Sequence, residues 1–144
     1  MQIKLIYYIS TYHEYLLDVK GGSLMLFFVF MFICTLLIPI SLLITRYTCL
    51  KVSEINYVSG YRSALSVKNE ATWKFAQKYC ANICTKLFVP TLLLSFAVMP
   101  FTFNKSVSVI GWTGLVVVMI QMLSFFVIIY STEKALKKEF NNEK

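Results

Sequence analysis

Arg62 is the side chain whose type best suits recognition chemistry. Its planar guanidinium can hold a carboxylate or a lipid phosphate in a two-pronged grip, and it stands in the one long polar stretch of the chain. The plainer alternatives are a headgroup anchor or a structural ion pair, for example with Glu70. Trp73 can offer a ring on which a partner packs, or it can anchor an amphipathic helix at a membrane interface. Asn69 and Glu70 suit a helix start, the first as cap and the second as a favourable charge on the first turn. Gln121 is the strongly polar side chain deep in an apolar run, where an unpaired amide is unfavourable, so it should face neighbouring helices or another subunit.

Metal and catalytic chemistry find less support. Cys80 and Cys84 share a helical face, but the single histidine, His13, falls on the opposite side of the membrane in the topology argued below, so no zinc set assembles. Cys34 and Cys49 join them within the membrane or on its cytoplasmic side, where thiols stay reduced. There is no nucleophile beside a base, no phosphate-cradling glycine loop and no pair of carboxylates inside an apolar run. The expectation is a protein without cofactor or metal that is not an enzyme.

The elements that position these residues follow from hydropathy. Of 144 residues 58% are hydrophobic and 15% charged, and the mean hydropathy is +0.66, outside the range of soluble domains. Leu24 to Ile44 contains no ionisable residue and reaches ~32 Å as a helix, about the thickness of bilayer hydrocarbon. Leu87 to Phe103 is shorter and is completed by Ile83 and a snorkelling Lys86. Val107 to Tyr130 is the longest, with Trp112 and Tyr130 near opposite interfaces. These runs predict an all-α integral membrane protein. Its parts are an external segment over 1–22, transmembrane helices over 23–45, 83–103 and 107–130, a cytoplasmic loop over 46–82 and a cytoplasmic tail over 131–144.

Orientation comes from Lys and Arg. Eleven of the fourteen lie in the 46–86 loop or after residue 130, and only Lys4, Lys20 and Lys105 lie on the other side, so the loop and the tail face the cytoplasm and the N-terminus is outside. The net charge of +7 accompanies no nucleic-acid recognition motif and flanks apolar runs, which points to anionic lipid headgroups rather than to nucleic acid. Within 1–20, Leu5, Tyr8, Ile9, Tyr12 and Leu16 stand at helical spacing, predicting an interfacial helix that bends into the membrane at Gly21 and Gly22. Pro39 and Pro90 fall inside spans and kink them.

In the loop, Gly60 before Tyr61 and Arg62 predicts a turn. A helix capped by Ser66 or Asn69 then runs toward the second span, with Trp73, Ala76, Cys80, Ile83 and Leu87 as its apolar stripe and Lys74, Lys78, Asn82 and Lys86 as its polar edge. The segments Gly60-Tyr61-Arg62-Ser63, Ser66-Val67-Lys68-Asn69-Glu70 and Thr72-Trp73-Lys74-Phe75-Ala76-Gln77-Lys78-Tyr79 resemble the signature loop of the SdpI family, immunity proteins named for a sporulation-delaying toxin. The run from Tyr130 to Phe140 resembles that family's ending, so the likeness covers roughly residues 24–140.

The resemblance implies a multi-pass protein of the bacterial cytoplasmic membrane that protects its producer from a secreted membrane-active peptide toxin and can also signal the toxin's presence. It marks Gly60, Tyr61, Arg62, Ser66, Asn69, Glu70, Thr72, Trp73 and Tyr79 as partner-binding candidates. Two other roles fit the residues: an accessory or scaffold subunit of a transporter or sensor complex, docking through the basic loop and Gln121, and a membrane-bound antirepressor whose loop sequesters a transcription regulator.

Overall fold

A computed structural model describes the backbone of residues 2–56 and 58–140, and side chains from Lys20 onward within that range. Three helices and one 3₁₀ turn account for the regular structure: α1 (Gln2–Lys51), α2 (Glu70–Val98), the turn (Met99–Thr102) and α3 (Val107–Phe140). Among the described residues there is no strand. Each helix packs on the other two. The stretches Lys20–Lys51, Glu70–Thr102 and Val107–Phe140 are each long and apolar enough to cross a membrane, and we describe the molecule as a three-span membrane protein.

The outer surface is apolar, unlike that of a water-soluble bundle, and the interior mixes apolar side chains with small polar ones. Large apolar side chains such as Leu26, Phe30, Leu93, Trp112 and Phe126 point outward, whereas Thr35, Thr91, Ser95, Gly114, Gln121, Ser124 and Thr132 line the interior. Lipid is as apolar as leucine, so a span gains nothing by hiding leucine from it. Close packing of small residues and interhelical hydrogen bonds hold spans together instead. The inward seam of α3 runs through Ile110, Gly114, Val117, Gln121, Ser124 and Ile128, alternating steps of four and three as a packed helix face requires.

The helices are longer than the apolar runs that mark them. α1 continues to Lys51 and α3 to Phe140, so the connecting loop contracts to residues 52–69. The glycine pair at Gly21 and Gly22 does not interrupt the helix, and α1 passes through both glycines from Gln2. Two interior glycines cost about 1 kcal/mol each relative to alanine. That is too little to break a helix with good helix formers on both sides and no left-handed stop. The apolar face over Leu5, Tyr8, Ile9, Tyr12 and Leu16, and the last residues of the tail, lie outside the described side chains. α2 and α3 form a tight hairpin: Phe103 N–H donates to the Pro100 carbonyl at 3.1 Å, and Asn104 takes the left-handed conformation (φ +62°) that reverses the chain.

Candidate functional site

The loop over 52–69 is tied to the ends of α2 and α3 by side chains, and this is where the candidate residues meet. Asn69 caps α2: its Oδ1 accepts the Thr72 N–H at 2.8 Å, and the Thr72 hydroxyl accepts the Asn69 N–H at 3.1 Å, satisfying two groups that a helix start leaves without partners. The Thr72 hydroxyl also lies 3.2 Å from the Ser66 carbonyl. Ser66 is buried, and its Oγ accepts the Ser63 N–H at 2.7 Å while its own N–H donates to Ser63 Oγ at 3.2 Å. Glu70 is exposed and pairs with Lys74 at 3.5 Å, one helical turn on.

Gln77 is the centre of this lock. Its Oε1 accepts the Tyr61 N–H at 2.7 Å and its Nε2 donates to the Tyr61 carbonyl at 2.7 Å, so one amide satisfies both polar backbone groups of a loop residue, much as a neighbouring strand would. Gly60 makes the approach possible. Its φ of +97° lies in the left-handed region, and a Cβ there would stand 2.6 Å from Gln77 Oε1. From this position the Tyr61 ring packs on the cluster of Leu42, Cys49, Cys80, Cys84 and Ile128, and its hydroxyl donates to Glu133 Oε1 of α3 at 3.0 Å. Burial, with the hydrogen bond and charge of Glu133, pushes the Tyr61 hydroxyl well above the ordinary tyrosine range, because each disfavours the phenolate.

Trp73 departs from both readings of it. It is fully buried and so is neither a ring open to a partner nor an anchor in the interface. Its position one turn before Gln77 puts it on the inward stripe with Ala76 and Cys80. Arg62, next to the clamped Tyr61, is exposed. Tyr79 is half-buried and stacks on Phe75 with ring centroids 5.7 Å apart. The loop signature thus divides: Gly60, Tyr61, Ser66, Asn69 and Thr72 hold the loop, Trp73 fills the core, and Arg62 faces outward.

The locked residues fall within the segment that matches a known family. The SdpI/YfhL protein family matches residues 52–131. The chain belongs to that family. The matched segment comprises the loop, α2, the hairpin turn and α3 as far as Ser131, and α1 lies outside it. No curated protein and no solved structure shows significant similarity to the chain.

A second polar assembly sits in the middle of the spans of this SdpI/YfhL member. Pro39 has no N–H to give the carbonyl four residues back, which is that of Thr35. Ser95 Oγ of α2 donates to that carbonyl at 3.0 Å, and Gln121 Nε2 of α3 donates to Ser95 Oγ at 2.8 Å and to the Thr91 carbonyl at 2.9 Å. One contact chain joins all three helices through the carbonyl that Pro39 frees. Gln121 Oε1 is buried with no hydrogen-bond partner, as are Trp73 Nε1 and Thr132 Oγ1.

Gln77, Glu133 and Ser95 were not among the candidate residues. Gln77 carried a usable signal, being a polar residue one turn beyond Trp73 on an apolar stripe, and Thr35 carried another, standing four residues before Pro39. Glu133 and Ser95 carried none, since their roles depend on which helix lies opposite.

Proposed function

We propose that this chain is a membrane immunity protein, giving its producer resistance to a secreted membrane-active peptide. The observation that carries the reading is the family match over 52–131, within which Gly60, Tyr61, Ser66, Asn69 and Thr72 fold into one locked loop. In this reading the protein sits in the bacterial cytoplasmic membrane with the loop over 52–69 and the end of α3 in the cytoplasm, an orientation that the excess of lysine and arginine at that end supports. The opposite end, with the 3₁₀ turn and Trp112, meets the peptide.

Protection of this kind needs binding and no bond-making. A peptide arriving from outside alters the bundle only if it binds one helix arrangement better than another, and the mid-span assembly is the place where the three helices report on one another. A signalling role is supported by Arg62, whose guanidinium is presented by a loop fastened on both sides, a fixed surface for a regulator. Exposing a deletion strain and its complemented parent to culture supernatants of related strains tests the immunity reading. The deletion strain should lose survival and regain it with the gene; equal survival of the two strains in every toxin-containing supernatant counts against immunity.

A further inference from the structure

Between the start of α2 and the end of α3 runs a groove of about 460 Å³, walled by Phe75 and Tyr79 on one side and by Tyr130, Lys134, Lys138 and Glu139 on the other. At Tyr130 it meets a second hollow of about 610 Å³ along the outer wall of α3, lined by Phe126, Val127, Ile129 and Glu133. The two share Tyr130, and we treat them as one surface slot, apolar along the span and basic at its end. Lys134 and Lys138 are one turn apart and so stand on the same face, about 6 Å from each other at their Cβ atoms, a spacing that lets two ammonium groups bracket one phosphate. Lys134 Nζ already lies 5.9 Å from the Tyr130 ring centroid, over the junction of the hollows.

The charges around the slot favour an anion. Lys134, Lys137 and Lys138 face it or border it; of the carboxylates, Glu133 is engaged by the Tyr61 hydroxyl and Glu139 stands at the rim. A headgroup that places phosphate between the lysines and hydroxyls toward Glu139 gives Lys134, Lys138 and Glu139 each a partner, and an acyl chain lying on Phe126 and Ile129 covers apolar surface the bundle leaves open. Phe75 is held in place by stacking on Tyr79 and by an edge contact with Phe140 at 5.6 Å, so the wall is formed before any ligand enters. We propose that this slot binds one anionic glycerophospholipid of the phosphatidylglycerol type, phosphate on Lys134 and Lys138 and one acyl chain along α3. The site lies where the apolar part of α3 ends, so it holds whichever way the chain crosses the membrane and does not depend on the immunity reading.

Native mass spectrometry of the full chain in detergent, supplied with equimolar phosphatidylglycerol, phosphatidylethanolamine and phosphatidylcholine, tests the proposal. The unaltered chain should keep one phosphatidylglycerol under activation that strips the other two lipids. The double variant K134Q/K138Q should lower its retention about thirtyfold, the scale expected from losing two lysine contacts to an anionic lipid, while K51Q/K68Q, which removes equal charge elsewhere, should leave it unchanged. Both variants alter exposed side chains, and unchanged melting temperatures would confirm that folding is intact. Equal retention of the three lipids by the unaltered chain, equal loss in both double variants, or displacement of the lipid by millimolar inorganic phosphate would each overturn the assignment: the first removes the preference for an anion, the second leaves only a diffuse field, and the third makes the ligand free phosphate.

Discussion

The loop lock around Gln77 and the mid-span assembly around Gln121 each use one glutamine amide to join segments far apart in sequence, and they differ in how completely that amide is satisfied. Gln77 uses both ends of its amide on the two backbone groups of Tyr61. Gln121 uses only its nitrogen, and its oxygen is buried without a partner. A buried amide bonded at both ends is costly to disturb, because breaking it strands several groups at once. A half-bonded amide in the membrane already carries part of that cost. The lock should therefore behave as the fixed part of the molecule and the mid-span assembly as the part that yields.

The largest effect is expected from Gln77→Ala, which strands the N–H and carbonyl of Tyr61 and should cost about 2–3 kcal/mol, read as a lowered melting temperature in detergent together with faster proteolysis within residues 52–69. If Gln77→Ala leaves proteolysis unchanged, the loop is held by Ser66 and Thr72 alone. Gly60→Ala attacks the same clamp from the backbone side. The left-handed φ and the 2.6 Å approach to Gln77 should together cost about 1–2 kcal/mol, with a matching rise in loop cleavage.

In the spans, Ser95→Ala should cost about 1 kcal/mol, because it strands the Thr35 carbonyl that Pro39 has already deprived of its helical donor. Gln121→Leu should cost less than Ser95→Ala, since it removes the orphaned oxygen along with the two bonds. Unfolding both variants in the same detergent compares them directly, and a larger loss for Gln121→Leu would show that its oxygen does have a partner in the membrane.

The smallest effect belongs to Tyr61→Phe, which removes the hydroxyl bond to Glu133 but keeps the ring packed, at about 0.5–1 kcal/mol. Its pH dependence is the sharper reading. The folded hydroxyl is raised above the ordinary value of about 10, so the stability it contributes is fully present below about pH 10 and is lost as pH rises through the folded value. Spectrophotometric titration should show one tyrosine ionising late in the unaltered chain and absent from Tyr61→Phe. If that tyrosine ionises with the exposed ones, the Glu133 contact does not persist in solution.

Much of this architecture is local chemistry and was legible residue by residue. The three apolar runs mark three spans because hydrocarbon excludes charge over a fixed thickness, and Ser66 or Asn69 ahead of Glu70 marks a helix start to within a few residues because a cap satisfies donors within its own first turn. Gln121 declares an inward face for a similar reason, since a lone amide facing lipid is unfavourable. Trp73 shows the limit of the same reasoning: a tryptophan near a membrane interface reads as an anchor, and only the tertiary fold, which buries it completely, decides otherwise. Gly21 and Gly22 show another limit, because a glycine pair permits a bend without requiring one.

By itself, then, the amino-acid order determined the number of spans, where α2 begins, and membership of a family whose loop signature is contiguous in the chain. Tertiary structure alone decided that Gln77 reaches Tyr61, that Tyr61 reaches Glu133 seventy-two positions away, and that Ser95 answers the carbonyl freed by Pro39. The physical reason is range. Capping and hydrophobic exclusion act over a few residues or along one helix, whereas a hydrogen bond between helices depends on their rotation and register, which the packing of all three sets together.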